Sequence, residues 1–156
     1  MKNYDRMLQL VNDFFGTRTD PDQISVTPDQ LERLLAIHPA TMGEIANEDG
    51  PILWLLVVPT TTEIMQLFLD KKITELELLE KTIPGDRYEA LYLCSVYVLP
   101  EFRKQGLSKK AIITAVTQIK ETHPIQTLYY WPFSAEGKQL AITTAQELML
   151  PLYERE

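Results

Sequence analysis

The stretch from Leu91 to Phe133 constrains the fold more than any other part of the sequence. It begins with an apolar segment rich in aromatic and β-branched residues, Leu91–Leu99, which is typical of a buried strand. An amphipathic helix is predicted over 107–121 and a second strand over 125–133. Pro132 cannot donate to a ladder, so that end of the strand should be unpaired on its N–H side. Together these elements predict a βαβ unit with two parallel strands and a right-handed crossover.

The flanking sequence predicts a mixed α/β fold. Two helices come first, the second beginning at Thr27 as N-cap, with a loop over 17–25 between them. A hairpin with the turn "EDG" follows; its second strand, Ile52–Val58, is apolar throughout, while Met42–Ala46 could be a strand or a helix. A last helix is predicted over 136–148, and residues after it can supply one short strand at most.

Length and charge limit the classes of function. A chain of 156 residues suits one compact domain, here 1–156. Its net charge of −7 argues against general affinity for nucleic acid or an anionic membrane, so any anion site has to be local. Cys94 is the single cysteine, which we interpret as a small buried hydrophobe. The N-terminus lacks a signal-peptide apolar region, and the apolar runs are too short to span a bilayer, so a cytoplasmic location is expected.

The turn between the first strand and the helix, "VLPEFRKQGLSKKA", is unusually basic for an acidic chain. A helix N-terminus already has about +0.5 charge, so cations there cost a few tenths of a kcal/mol each. The lysines could simply be solvated, or the turn could bind an anion with backbone N–H groups, helix dipole and cations acting together. Gly106 could accept a positive φ, and Ser108 could cap the helix. The four cations are Arg103, Lys104, Lys109 and Lys110.

At these residues the chain resembles the GNAT superfamily of N-acetyltransferases. The family signature is a strand ending in V-x-P-x-x-R/Q-x-x-G-x-G/A, followed by a helix. Ser108 stands in the last small position, where the family has Gly or Ala. The resemblance covers residues 91–133 and implies a GNAT-like acyl-CoA N-acyltransferase fold, a mixed central sheet with helices on both faces. The matching residues are Val98, Pro100, Arg103 and Gly106, with Phe102 as the usual aromatic before the arginine.

The resemblance implies that the turn binds acetyl-coenzyme A as co-substrate. Backbone N–H groups of 104–109 would hold the pyrophosphate, and the strand segment would hydrogen-bond the pantetheine arm as an added strand does. One N–H of that segment would polarise the thioester carbonyl for direct attack by a neutral amine, without an acyl-enzyme. The implied cofactor-binding residues are Val96, Tyr97, Val98, Arg103, Lys104, Gln105, Gly106, Leu107, Ser108 and Lys109.

Three departures from the family pattern bear on function. Residues 60–82, with possible capping boxes at Thr60 and Thr74, place helices where the family has a tight hairpin. This insert is either a core-packing element or a wall over the acceptor site. Tyr153 in "PLYERE" is a weak candidate for the family's general acid. Two further C-terminal strands would be expected, so either the sheet is truncated, or a partner chain such as a second copy completes it, or substrate selection is built differently.

The remaining titratable residues suggest no general base. Glu44 and Glu89 are interpreted as solvated carboxylates, and Tyr129 and Tyr130 as packing residues that could also stack on the cofactor. His38 and His123 each precede a proline at a predicted helix end, which favours a helix-terminal role. No Cys/His cluster has metal spacing, so no metal is expected.

Two classes of function follow. The first is an acetyl-CoA-dependent N-acetyltransferase that acts on a primary amine of a small molecule or a protein; the acidic charge mildly favours a cationic acceptor. The alternative is a non-catalytic GNAT-like module that binds coenzyme A as a sensor or binds a protein partner. A phosphate or nucleic-acid binder is disfavoured by the net charge and by the absence of a broader basic stripe.

Overall fold

The computed structural model describes residues 2–17, 23–24 and 27–156, with the side chains of 14–17 excepted. The loop predicted over 17–25 lies largely outside these residues. The helices are α1 (Asn3–Thr17), α2 (Pro28–Ile37), α3 (Thr62–Leu69), α4 (Glu75–Lys81), α5 (Leu107–Lys120) and α6 (Ala135–Leu148). The strands are β1 (Met42–Asn47), β2 (Gly50–Thr60), β3 (Ala90–Val98), β4 (Thr127–Tyr130) and β5 (Leu152–Glu154). Short 3-10 helices cover Pro39–Thr41 and Pro100–Phe102.

The five strands form one mixed sheet in the order β1-β2-β3-β4-β5. β1, β2 and β3 are antiparallel neighbours, whereas β3, β4 and β5 are parallel. The predicted mixed α/β class and the βαβ unit β3–α5–β4 are therefore confirmed. The hairpin is confirmed too, and Met42–Ala46 is a strand. A second βαβ unit, β4–α6–β5, was not predicted, because β5 has only three residues.

Side-chain caps fix several helix ends where the sequence predicts them. Thr27 caps α2 by accepting from the Gln30 N–H. The capping box of α4 is confirmed. Thr74 Oγ1 accepts from Glu77 N at 3.1 Å, and Glu77 Oε1 accepts from Thr74 N at 3.0 Å. The box predicted at Thr60 is wrong, because α3 has a single cap at Thr61, whose side chain accepts from the Ile64 N–H.

Helix α1 and the insert helix α3 lie on the same face of the sheet. Trp54 and Val58 are four residues apart on β2, so both point to that face. The Tyr4 ring of α1 packs edge-on against Trp54 with centroids 5.9 Å apart. Phe68 of α3 packs edge-on against Tyr92, the β3 residue opposite Val58, at 5.0 Å. The alternate β2 residues Leu53, Leu55 and Val57 point the other way and are buried beneath α5.

The insert packs in the core rather than standing apart from it. Phe68 is completely buried and contacts Tyr129 on β4 as well as Tyr92 on β3. Of the two interpretations of residues 60–82, the core-packing one is confirmed, and a wall over an acceptor site stays a prediction. The other buried side chains of the insert include Ile64, Met65, Ile73, Leu78 and Leu79.

A buried carboxylate also fixes the insert. Glu75, the first residue of α4, is 4% exposed. Its Oε1 accepts from the Ile24 N–H at 2.8 Å, and its Oε2 accepts from the Tyr92 hydroxyl. Two donors offset much of the cost of burying a carboxylate. Burial, followed by the charge of Glu75, raises the pKa of Tyr92 well above its usual value, so Tyr92 stays a donor.

Arg155 ties the C-terminal segment to the insert. Its guanidinium lies over the rings of Phe68 and Trp131, 4.5 and 4.3 Å from their centroids. Its Nε donates to the Phe68 carbonyl at 3.0 Å. The insert and the parallel end of the sheet are thus joined at both side-chain and backbone level.

No helix within residues 2–17 or 27–156 is long and apolar enough to cross a membrane.

Replacing Phe68 with alanine tests the core role of the insert. We expect Phe68→Ala to lower the free energy of unfolding by about 3–5 kcal/mol, because it empties a site enclosed by three aromatic rings. The matched control on the same helix is Gln66→Ala, an exposed position, which should change it by no more than about 0.5 kcal/mol. Urea unfolding of both variants measures this. If both variants lose only a small and equal amount of unfolding free energy, α3 does not contribute to the core.

Candidate functional site

Strand β3 has two neighbours along its first half and one along its second. It pairs with β4 only from Ala90 to Leu93, opposite Thr127–Tyr130. Its pairing with β2 continues to Val98. Within the described residues, the second half of β3 therefore has no β4 partner. Pro132 lies beyond the end of β4, so the strand predicted over 125–133 is shorter than expected but its proline is outside the ladder, as predicted.

A β-bulge separates the two halves of β3. Val57 of β2 is opposite Leu93 and Leu56 is opposite Ser95, so Cys94 is the extra residue. Cys94 is partly buried and packs against the core, so its interpretation as a hydrophobic packing residue holds, but full burial is wrong. Bulges bend a strand and increase its twist. The bulge lies directly after the last residue that pairs with β4, so it explains why the two parallel strands part at this point.

The bulge also decides which side chains face each layer. Tyr97 is opposite Trp54, so it faces the α1 side of the sheet. Val96 and Val98 are opposite Leu55 and Leu53 and face the α5 side. In the strand segment predicted to bind the cofactor, the two valine side chains thus point towards α5. The backbone N–H and C=O groups on the edge that β4 does not pair are the open part of the segment.

The turn after β3 has two residues in the left-handed region. Lys104 has φ 62° and Gly106 has φ 76°. For a lysine this conformation costs about 1–2 kcal/mol, whereas glycine adopts it freely. A Cβ at Gly106 would meet no atom within 4 Å, so the space in front of the turn is open. Backbone N–H groups in such turns form concave anion sites.

Helix α5 begins without a side-chain cap. Its N-cap is Gly106, and the first intrahelical bond runs from Lys110 N to the Gly106 carbonyl at 3.1 Å. The expectation that Ser108 caps the helix is wrong, because Ser108 is already its second residue. The N–H groups of Leu107, Ser108 and Lys109 precede the first intrahelical donor, Lys110 N, so they have no acceptor within the helix and are open to an external one.

The four cations of the turn have different surroundings. Arg103 Nε donates to the Val98 carbonyl at 3.0 Å and so fastens the turn to the end of β3. Lys109 Nζ lies 3.7 Å from a carboxylate oxygen of Glu147 on α6. Within the described residues, Lys104 and Lys110 form no salt bridge. Gln105, also predicted to bind, has its side-chain amide on the Glu101 carbonyl at 3.3 Å.

A fifth cation comes from α1, and no sequence pattern indicated it. Arg6 and Glu101 are 95 residues apart, and Arg6 Nη2 lies 2.7 Å from Glu101 Oε2. The hydrogen bond with Arg6 lowers the pKa of Glu101, and the same bond raises the pKa of Arg6. Glu101 lies in the 3-10 helix that leads into the turn, so this ion pair borders the candidate site.

Tyr153 is not adjacent to the open half of β3. It is in register with Tyr129 on β4, which is in register with Tyr92 on β3. Val96 lies further along β3, opposite Leu55, which is three residues from the partner of Tyr92; that is about 10 Å at 3.3 Å per residue, and two strand spacings to the side. Tyr153 is 46% exposed. Its assignment as a general acid stays a prediction.

The polar network beneath the insert had no sequence signal either. Tyr129 and Thr60, both fully buried, share a hydrogen bond of 2.7 Å between their hydroxyls. Burial raises the pKa of Tyr129 far above its usual value. Burial and the carboxylate of Glu154 raise the pKa of Tyr130 to about 12. All these hydroxyls stay protonated at neutral pH, so they act as donors and packing groups.

The two histidines lie together at one end of the sheet. Their ring centroids are 6.0 Å apart. His38 Nδ1 accepts from Ala40 N at 3.0 Å, and His123 Nδ1 accepts from Tyr88 N at 3.4 Å. Burial lowers the pKa of both imidazoles, and the charge of His123 lowers that of His38 further while Glu121 opposes this. Both therefore act in their neutral form, as acceptors at helix ends.

Neither a metal nor a known relative identifies the site. In the part of the chain that the structure describes, no group of three or more His, Cys, Asp or Glu side chains could hold a metal ion. Comparisons with protein-family models, with curated proteins and with solved structures returned no significant match to this chain.

The histidine pair predicts a pH dependence of stability. In the unfolded chain both imidazoles titrate near 6.5, and in the fold their pKa is lower. Below pH about 6.5 the unfolded chain thus binds more protons than the folded chain does. The contribution of the two histidines to the free energy of unfolding is therefore complete above that pH, and it is lost as the pH falls through their lowered pKa. Urea unfolding at pH 7.5, 6.5 and 5.5 should show this loss.

The control is a His38→Asn/His123→Gln variant, which does not titrate in this range. The asparagine introduced at position 38 keeps an acceptor for the Ala40 N–H. The decline of stability between pH 7.5 and 5.5 should be shallower in this variant than in the wild type. Identical declines would show that carboxylates, rather than the histidines, cause it.

Proposed function

We propose that this chain is an acetyl-CoA-dependent N-acetyltransferase with a GNAT-like fold. The observation that supports it is one juxtaposition: the uncapped, left-handed turn at Gly106 directly follows the half of β3 that β4 does not pair. An anion site and an open strand edge suit a ligand with a pyrophosphate at one end and an amide-containing arm at the other. Coenzyme A has both parts.

The turn would bind the pyrophosphate mainly with backbone groups. The N–H groups of 107–109 start α5 without intrahelical acceptors, and the helix dipole favours an anion there. Lys104 and Lys110 form no salt bridge within the described residues, so they are the side chains best placed to add charge. Arg103 would shape the turn through its bond to Val98 rather than contact phosphate with that nitrogen.

The edge of β3 would bind the pantetheine arm as a short added strand. One N–H of the segment 96–98 would donate to the thioester oxygen and stabilise the negative charge that develops there. The amine nitrogen would form a bond to the acetyl carbon, the carbon–sulfur bond would break, and coenzyme A would leave as the thiolate. The proton lost by the amine would pass to solvent or to the thiolate.

The acceptor would be a primary amine of a small molecule or a protein. The acidic net charge of −7 favours the approach of a cationic acceptor. The edge strand β5 has only three residues, so a second copy of this chain could extend the sheet beside it. The cytoplasm would supply acetyl-CoA.

One observation favours the alternative, a non-catalytic module that binds coenzyme A as a sensor or binds a protein partner. Tyr153, the candidate general acid, is in register with Tyr129 and Tyr92 rather than with Val96. A module of this kind would use the same turn and strand edge without needing a proton donor.

An isosteric pair of variants tests the anion site. Gly106→Asn and Gly106→Asp put side chains of equal size at a left-handed position that both tolerate comparatively well. The negative charge should weaken binding of acetyl-CoA by at least about tenfold relative to Asn, since it faces the pyrophosphate. Isothermal titration calorimetry measures this, with thermal unfolding as the control for the fold. Equal affinities of the two variants would contradict an anion at this turn.

Release of the coenzyme A thiol separates the enzyme from the sensor. With acetyl-CoA and a panel of amines and lysine peptides, the enzyme should release thiol above the uncatalysed rate with at least one acceptor, and the Gly106→Asp variant should lose that rate. Binding of acetyl-CoA with no thiol release across the panel would favour the non-catalytic module.

A further inference from the structure

The turn contains one acidic residue, and a distant helix neutralises it. Between Leu99 and Lys110, Glu101 is the only carboxylate among four cations. Its backbone carbonyl accepts from Gln105 within the turn, so the residue belongs to the structure that would hold the anion. Its side chain forms a charge-assisted bond of 2.7 Å with Arg6 on α1.

The N-terminal end of α1, which carries Arg6, is fixed by contacts of its neighbouring residues. In α1, Tyr4 packs against Trp54, and Asn3 donates to the Asn47 side chain at 3.2 Å. The Arg6 and Glu101 side chains are 34% and 47% exposed. An exposed ion pair of this kind adds little to the stability of a fold. The pair therefore needs a role other than stabilising the fold.

We infer that Arg6 is a positioning residue for the anion site: by pairing with Glu101, it removes the repulsion that this carboxylate would exert on a bound pyrophosphate. The inference rests on the proposed function. The helix N-terminus and two lysines would attract the pyrophosphate. An unpaired carboxylate on the adjacent 3-10 helix would repel it and so weaken this attraction. At about 10 Å in a water-like medium, one charge acting on two phosphate charges changes affinity by about two- to fivefold.

The sign of each substitution distinguishes this role from direct contact. Arg6→Ala should weaken binding of coenzyme A and of inorganic pyrophosphate by about two- to fivefold. Glu101→Gln should leave affinity unchanged or slightly higher. The Arg6→Ala/Glu101→Gln double variant should return to near wild-type affinity, and Arg6→Lys should retain most of it. The weakening in Arg6→Ala should shrink when salt is raised from about 20 to about 300 mM, roughly as the Debye length shortens.

Calorimetric titration with both probes measures these affinities, and thermal unfolding checks each variant. Lys2→Ala, which removes one positive charge from the same end of the chain, is the control for net charge; it should bind nearly as the wild type does. If the double variant is as weak as Arg6→Ala, or if Arg6→Ala binds as tightly as the wild type, the inference is wrong while the anion site stands. If the wild type binds neither probe, the proposed function and the inference both fail.

Discussion

Strand β3 holds the two halves of the sheet together, and the rest of the structure depends on how its hydrogen bonds are shared. The antiparallel part of the sheet joins it through β2, and the parallel part joins it through β4. Its first half has a ladder on both edges, and its side chains, such as Tyr92, anchor the insert. Its second half pairs with β2 alone, so its other edge is open, and the candidate site lies at that edge.

Burial and exposure are divided along the same strand. The first half of β3 lies under the aromatic cluster of Phe68, Tyr92 and Tyr129, where hydroxyl groups are satisfied internally and stay protonated. The second half leads into a turn whose backbone N–H groups are left for an external acceptor. A segment that is hydrogen-bonded on both edges thus leads into one with open hydrogen-bonding capacity, and the proposed binding would use the second supported by the first.

Elements with strong local signals could be predicted from the sequence. The capping box at Thr74, the hairpin turn and the βαβ unit each depend on residues close together in the chain. The bulge at Cys94 could not be predicted, because it is defined by the register with β2, which lies much earlier in the chain. The ion pair of Arg6 with Glu101 and the bond of Tyr92 to Glu75 join distant segments of ordinary composition, so neither left a local pattern. Of the candidate site, the turn was therefore predictable, and its surroundings were not.

The number of cations in the basic turn overstates the positive charge that its side chains offer to a ligand. Arg103 is bonded to a backbone carbonyl and Lys109 lies beside Glu147, so both are partly committed within the chain. Lys104 adopts a left-handed backbone, which a lysine does only at a cost. In the proposed site, the attraction for an anion would therefore come from the backbone N–H groups and from a subset of the side chains.

The single extra residue at Cys94 has a consequence for how the chain can vary in length. Side chains alternate along a strand, so the loss of this residue would restore regular alternation and keep both faces, whereas one further insertion there would exchange the inward and outward sets from Ser95 to Val98. Val96 and Val98 would leave the α5 layer, and Tyr97 would have to enter it. Homologous chains should therefore be able to lose the bulge residue but not to gain another residue in β3, whereas other changes of length should collect in surface connections such as residues 83–87.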